Sequence, residues 1–273
     1  MGLIFISENA CQELIDQLTE TGHDIYKVLS TDVVYDAISA HPDIYMCPVR
    51  NTLIADETLE TDPPLKEQYM EQLDSQIDDF SVEPVIPAMT TGSGDIVFEM
   101  GGIGYEYPFD IPYNAVSTDR FFIHNTEYTA PALIDRARFA GLQIINVKQG
   151  YTKCSCIPVG DRAIITEDEG IARTLTAYNH MILEDYDGDA EAASEETIDV
   201  ILIRKGYAAL EGFEYGFIGG TCGTIDDRIY FNGNLSDHPD FELICSFIEA
   251  RGYTPVWTQD TQLTDIGSII YLP

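Results

Sequence analysis

The chain has 273 residues, 45% hydrophobic and 22% charged, a globular composition that excludes disorder as its overall description. Fourteen Lys and Arg stand against 47 Asp and Glu, a formal net charge of −33. Such a field repels phosphate backbones, which excludes general nucleic-acid binding, and it attracts a cationic small molecule or a basic protein as partner.

In chain order, the opening MGLIFISENACQEL has no basic segment ahead of an apolar run and does not read as a signal peptide. Ile6 stands where a myristoylation motif needs Ser or Thr, and no apolar stretch reaches the ~18 residues of a membrane span. The expectation is a cytoplasmic protein with no membrane partner. Leu3 to Ile6 reads as a strand. Cys11, Leu14, Ile15 and Leu18 recur at helical spacing, and Gly22 is a stop. Ile25 to Leu29 reads as a strand, Val33 to Ser39 as a helix, and Ile44 to Val49 as a strand broken by Pro48. Asn51 to Ala55 is the next strand. Pro63 and Pro64 open a helix carrying Leu65, Tyr69, Leu73 and Ile77. Val82 to Ala88 and Asp95 to Met100 read as strands, followed by the aromatic loop GGIGYEYPFDIPY from Gly101 to Tyr113.

Asp119 to His124, Leu142 to Val147, Asp161 to Thr166 and Ile198 to Ile203 read as strands. Helices are expected over Ala130 to Phe139 and Glu169 to Tyr178, and a low-complexity loop over residues 184–196. Within that loop Asp185, Asp187, Asp189 and Glu196 mimic a calcium loop, but Ala190 stands where its turn needs Gly, so a solvated acidic insertion is the better reading. A helix from Phe241 to Ala250 carries Phe241, Ile244, Cys245 and Ile248 on one stripe, with Asp237 as its expected cap beside His238. Thr254 to Thr258 and Ile266 to Leu272 close the chain as strands.

Six scattered cysteines without a CxxC pair read as buried reduced thiols, and no metal site is expected. His41, six residues before Cys47, is the one histidine close to a cysteine. GFIGGTCG lacks the GxGxxG spacing and the P-loop Lys, so no cofactor is implied.

The chain repeats itself. Asp119-Arg120, Asp161-Arg162 and Asp227-Arg228 each precede an apolar run, and Cys156 and Cys222 each stand five positions before the Asp. Val147-Lys148-Gln149-Gly150-Tyr151 matches Ile203-Arg204-Lys205-Gly206-Tyr207. These anchors define one domain, 1–273, of five units beginning near residues 3, 51, 119, 161 and 227, with the C-terminal strand completing the last. Their unequal lengths suit a closed ring better than an open solenoid.

Five strand–strand–helix–strand units in a closed ring resemble the pentein, or guanidino-group-modifying enzyme, fold: an α+β, five-fold α/β propeller around a central axis. GFIGGTCG, VKQGYTKC, DHPDFE and LTDIGSII also resemble an uncharacterised bacterial domain family assigned to that fold, most strongly from Phe121 onward. The resemblance to arginine and agmatine deiminases and dimethylarginine hydrolases implies a cysteine nucleophile near the C-terminus, a proton-moving His in the fourth unit, and acidic residues around a guanidinium. The stretch Thr264-Asp265-Ile266-Gly267-Ser268 has no cysteine, and Lys205 to Asp227 has no His. The repeat sets Cys154, Cys222 and Asp265 in corresponding loops. Cys222, Asp265 and Ser268 are therefore the candidate catalytic residues, expected to line one pocket with Lys153. Lys148, Tyr151, Lys153 and Cys154 are the candidate ligand-binding residues. The expected function is a non-catalytic or atypical small-molecule-binding ring. The alternative is a hydrolase or transferase acting on a guanidino or amidino compound through Cys222.

Overall fold

The computed structural model describes residues 2–59, 61–62, 89–91, 94–99 and 102–273. The fold is mixed α+β, built on five small sheets. In chain order the described elements are β1 (Leu3–Ser7), α1 (Gln12–Thr19), β2 (Asp24–Val28), α2 (Pro42–Tyr45), β3 (Met46–Val49), β4 (Thr52–Asp56), β5 (Thr61–Asp62), β6 (Met89–Thr91), β7 (Gly94–Glu99), β8 (Val116–Ser117), β9 (Phe121–His124), α3 (Pro131–Phe139), β10 (Gln143–Asn146), β11 (Cys156–Pro158), β12 (Ala163–Thr166), α4 (Glu169–Asp185), α5 (Ala190–Ala193), β13 (Asp199–Leu202), β14 (Cys222–Ile225), β15 (Arg228–Phe231), α6 (Phe241–Glu249), β16 (Thr254–Trp257) and β17 (Ile270–Leu272). Among the described residues, no helix is long and apolar enough to cross a membrane.

The sheets share one pairing pattern. A first strand runs antiparallel to a central one, and the central one runs parallel to a third: β3-β4-β7, β8-β9-β10, β11-β12-β13 and β14-β15-β16. The remaining sheet takes its first strand from the other end of the chain, since β17 pairs antiparallel with β1 and β1 runs parallel to β2. The C-terminal strand thus completes the first sheet and not the last. Strand β14 already fills the antiparallel position beside β15, and β17 fills it beside β1.

The central strands read as unbroken apolar runs because both of their faces are buried. Side chains alternate across a strand, so neighbouring residues enter different cores. Leu3 and Phe5 join a cluster shared with β4 and β7, while Ile4 and Ile6 join one shared with α1 and Tyr230 of β15. Phe122 packs with Ile54 and α3, but Phe121 and Ile123 pack with Ile164 and α4. Ala163 and Ile165 pack with Ile229, Phe231 and α6. Each cluster therefore joins sheets that follow one another in the chain, and one joins the last sheet to the first. Each Phe or Ile so buried contributes ~1.5–3 kcal/mol relative to exposure.

The first strands are short and hold Pro or Gly, as in Met46-Cys47-Pro48-Val49, Cys156-Ile157-Pro158 and Cys222-Gly223-Thr224-Ile225. Each has a ladder partner on one side, so Pro48 and Pro158 withhold no N–H from a ladder. That composition hid β11 and β14 from the periodicity reading, and β8 has only two residues. Val33 to Ser39 forms only a single 3-10 turn, Asp36–Ile38. Residues 42–45 form one helical turn ahead of β3, because Pro42 suits a first helical position. Helix α4 runs on to Asp185, beyond the expected end at Tyr178; Asp168 caps it by accepting from the Ile171 N–H at 2.8 Å. Part of the expected acidic loop is helical: Asp189 caps α5 through the N–H groups of Glu191 and Ala192, and Glu196 accepts from Tyr186 Oη. Asp237 does not cap α6. Asp240 stands at that position, and its N–H is taken by His238 Nδ1 at 3.0 Å. Residues 266–269 lie outside β17 because Gly267 and Ser268 are both left-handed, each at φ 70°. The helix expected from Pro63 and the strand over Val82 to Ala88 lie outside the described residues.

Candidate functional site

Five loops that precede strands meet in one buried polar cluster. His41 comes before Pro42, which holds it extended at φ −83° and ψ 116°, and the single turn of α2 then carries Asp43 inward. The Asp43 N–H donates to the Gly267 carbonyl at 3.0 Å, tying this loop to residues 265–268. Gly267 is obligatory there: a Cβ would lie 2.1 Å from that of His41. Ser268 holds its left-handed backbone against a steric cost of about 1–3 kcal/mol. Its hydroxyl donates to Asp43 Oδ2 at 2.6 Å, with the Gly219 carbonyl at 3.1 Å, and accepts from Lys153 Nζ at 2.9 Å.

Lys153 also reaches the Gly219 carbonyl at 3.2 Å. Its N–H and that of Cys154 both donate to Asn114 Oδ1. The Asn114 amide donates to Cys154 Sγ at 3.1 Å, and that thiol donates to Asp43 Oδ2 at 3.0 Å. Asp43 Oδ1 is buried with no partner among the described residues. Asp265 accepts the Phe217 N–H at 2.8 Å and the Gly267 N–H at 3.0 Å, with His41 Nδ1 3.9 Å away. Glu167 accepts the Ile218 N–H at 3.0 Å.

Burial sets the charge states. It pushes His41 down to about 4, which leaves a neutral imidazole at pH 7. It raises Asp43, takes Asp265 up to about 6 and Glu167 up to about 7. The Cys154 thiol rises well above its usual range through burial and the facing Asp43 and Asp265 carboxylates. Lys153 is the only Lys or Arg among the buried residues described. One ammonium therefore faces several buried carboxyl groups.

This cluster borders a pocket of about 340 Å³. His41, Cys154 and Asp265 supply its buried part, and Tyr35, Tyr151, Phe213, Tyr215 and Phe217 are its aromatic wall. Tyr151 lies 5.9 Å from Phe217 and 5.8 Å from Tyr107 between ring centroids, and Tyr35 lies 5.8 Å from Phe213. A separate cavity of about 110 Å³ is bordered by residues of β3, β8, β11, β14 and β17, one first strand from every sheet, together with Lys153. Among the described residues, no three His, Cys, Asp or Glu side chains are grouped to hold a metal ion.

The sequence candidates divide among these places. Lys153, Cys154 and Ser268 share the hydrogen-bonded cluster, while Asp265 and Tyr151 reach the aromatic pocket. Cys222 and Lys153 border the small strand-lined cavity, Asp265 borders the aromatic pocket and Ser268 borders neither, so the four residues expected in one pocket do not share one. The Cys222 thiol has the Ile218 and Gly219 carbonyls at 3.9 Å, and burial takes it up to about 12. Lys148 lies in a wide cleft with Glu167, Asp168, Arg204 and Lys205. Sequence reasoning missed His41, Asp43, Asn114 and Glu167. One signal was available: His-Pro-Asp occurs twice, at 41–43 and 238–240, and the Pro fixes the His that precedes it.

The model of the family described as "Family of unknown function (DUF6873)" matches residues 5–270. No curated protein matches the chain. Among solved structures the chain is similar to SxtG, an amidinotransferase from Microseira wollei in the saxitoxin biosynthetic pathway, at 11% identity and a TM-score of 0.43, over 94% of this chain and 88% of that one. Neither the fold nor the chemistry of the present chain is taken from that likeness.

Proposed function

The chain belongs to the DUF6873 family of unknown function, and from its site we propose that it is a pentein-type ring that binds a small organic cation in the aromatic-walled pocket. One shared pairing pattern in five sheets, and a cavity bordered by a first strand from each, support a single domain of five units closed around an axis. The observation that carries the ligand class is the excess of buried carboxyl groups over the single buried ammonium of Lys153. Asp43 and Asp265 are wholly desolvated and held above their ordinary range, so a cation would relieve their unfavourable ionisation. Aromatic faces add attraction for a planar or quaternary cation of ~0.5–2 kcal/mol each. The net charge of −33 steers such a ligand inward.

Methylguanidinium, set against its neutral isostere methylurea, tests this. Methylguanidinium is expected to raise the melting temperature saturably beyond the effect of sodium chloride at equal ionic strength, methylurea to raise it less, and Asp265→Asn to abolish the difference. A methylguanidinium response no greater than that of sodium chloride would end the proposal.

A catalytic reading is favoured by one observation: a thiol, an imidazole and two carboxyl groups, Cys154, His41, Asp43 and Asp265, converge on one site. Against it, the Cys154 proton is committed to Asp43, and the facing carboxylates disfavour the thiolate. For a hydrolase or transferase acting on a guanidino compound, the thiol grouped with His41, Asp43 and Asp265 is Cys154, whereas Cys222 borders the small strand-lined cavity with Lys153. Release of ammonia or urea from guanidino compounds, lost in Cys154→Ala and kept in Cys222→Ala, would establish catalysis in place of simple binding.

A further inference from the structure

A chain of hydroxyl groups runs from the pocket wall to a buried carboxyl group. Asp110 is fully buried, and its Oδ2 accepts from Tyr151 Oη at 2.5 Å. Its Oδ1 has no partner among the described residues. Tyr151 Oη lies 3.0 Å from Tyr35 Oη. Both tyrosines border the pocket, and neither Asp110 nor its bond to Tyr151 takes part in the Asp43 cluster.

Proton counting fixes the direction of this chain. Tyr151 Oη donates to Asp110 Oδ2, so its single hydroxyl proton is committed there. The proton between the two tyrosines must then come from Tyr35. That leaves Tyr35 with oxygen lone pairs and no proton to offer. Linked hydrogen bonds polarise one another in a low-dielectric interior, so accepting by Asp110 strengthens each acceptor along the line. A half-buried hydroxyl that would otherwise serve as donor or acceptor is thereby made an acceptor alone.

We infer that Tyr35, oriented by Asp110 through Tyr151, is the specificity-determining residue of the pocket and selects ligands that present N–H donors to it, as guanidinium, amidinium and ammonium groups do. This rests on the cation-binding reading above and adds a selection that charge alone does not make. Methylurea also carries N–H groups, but one of its edges is a carbonyl oxygen: in the pose that turns this oxygen to Tyr35 Oη two facing acceptors are left unsatisfied, whereas guanidinium presents a donor in every pose. Tyr35 and Asp110 are positioning groups for the ligand, and no bond is made or broken.

The test measures affinities for methylguanidinium and methylurea by calorimetry in three full-length proteins. Tyr35→Phe keeps every charge and the ring against Phe213 but deletes the acceptor. Tyr151→Phe also keeps every charge, and it frees the Tyr35 proton to turn toward the ligand. The preference of the wild type for methylguanidinium is expected to fall about tenfold in each variant. In Tyr151→Phe the fall should come partly from tighter methylurea binding, which a purely structural defect would not produce. A preference unchanged in both variants overturns the inference and leaves cation binding intact. A wild type that binds methylguanidinium no better than methylurea overturns both. Should Tyr151→Phe fail to fold, Tyr35→Phe alone decides, because its ring is already half-buried and loses one oxygen.

Discussion

Glu167 and Asp265 hold their protons to unusually high pH, and this has opposite consequences for stability and for binding. Glu167 moves from 4.5 to about 7 on folding, and Asp265 from 3.8 to about 6, both chiefly because burial disfavours the anion. Across those windows the folded chain keeps protons that the unfolded chain has released. Folding stability therefore falls as pH rises through them, and the loss is complete above the folded values. Glu167→Gln keeps an oxygen for the Ile218 N–H. It should flatten the urea-midpoint profile between pH 5 and 7.5 and gain about 1–2 kcal/mol at the upper end. Bound cation favours the ionised carboxylates, so methylguanidinium affinity should rise from pH 5 to 7.5, with proton release measurable as a buffer-dependent heat. A flat affinity profile would show that these carboxyl groups do not face the ligand. Neither shift could be foreseen in the sequence, because Glu167 and Asp265 sit among ordinary acidic residues in a chain with 47 of them.

The glycine-rich stretch Gly216 to Gly223 owes its composition to what its backbone touches. A Cβ on Gly219 would lie 2.2 Å from the Cys156 carbonyl oxygen, and one on Gly220 would lie 1.9 Å from Asp265 Oδ1. The turn is therefore wedged between the Lys153–Cys156 segment and the 265–268 loop, and both contacts help to assemble the cluster around Lys153. Gly220→Ala should cost about 3 kcal/mol or more and remove the methylguanidinium response. Gly141→Ala meets open space at φ 71°. It should cost only about 1 kcal/mol and leave binding unchanged. Urea denaturation and calorimetry on the same samples would separate the two effects. The unusual composition of this stretch was visible from residues alone. Its partners were not, since they lie in other loops. Amphipathic segments were more legible: the stripe of Ile244 and Ile248 in α6 follows helical spacing and is buried as expected. Strands of two to four residues, such as β8, β11 and β14, are too short for any periodicity to declare itself.

Strand β17 joins the two ends of the chain, and Tyr271 Oη extends this union by donating to Asp226 Oδ1, while Asp226 Oδ2 meets His23 Nε2 at 3.0 Å. Leu272 and Ile270 pack into one core and Tyr271 against another. Removing residues 270–273 should thus weaken two neighbouring cores at once, lowering the urea midpoint and broadening the transition. A truncated protein as cooperative as the full chain would argue against closure through β17. The central strands and most helices were legible in the sequence because burial demands only that side chains be apolar at the right spacing, whichever neighbour covers them. Composition likewise determined the strong negative field. The repeat and the residues beside it pointed to Lys153, Cys154, Asp265 and Ser268, but the partners that make them a site were decided by tertiary structure. Ser268 bonds to Asp43 across 225 positions, and Cys154 to the same carboxylate across 111. Polar groups brought together over such separations leave no local period in the chain. Their burial, and with it their protonation and the direction of their hydrogen bonds, exists only once all the loops have met.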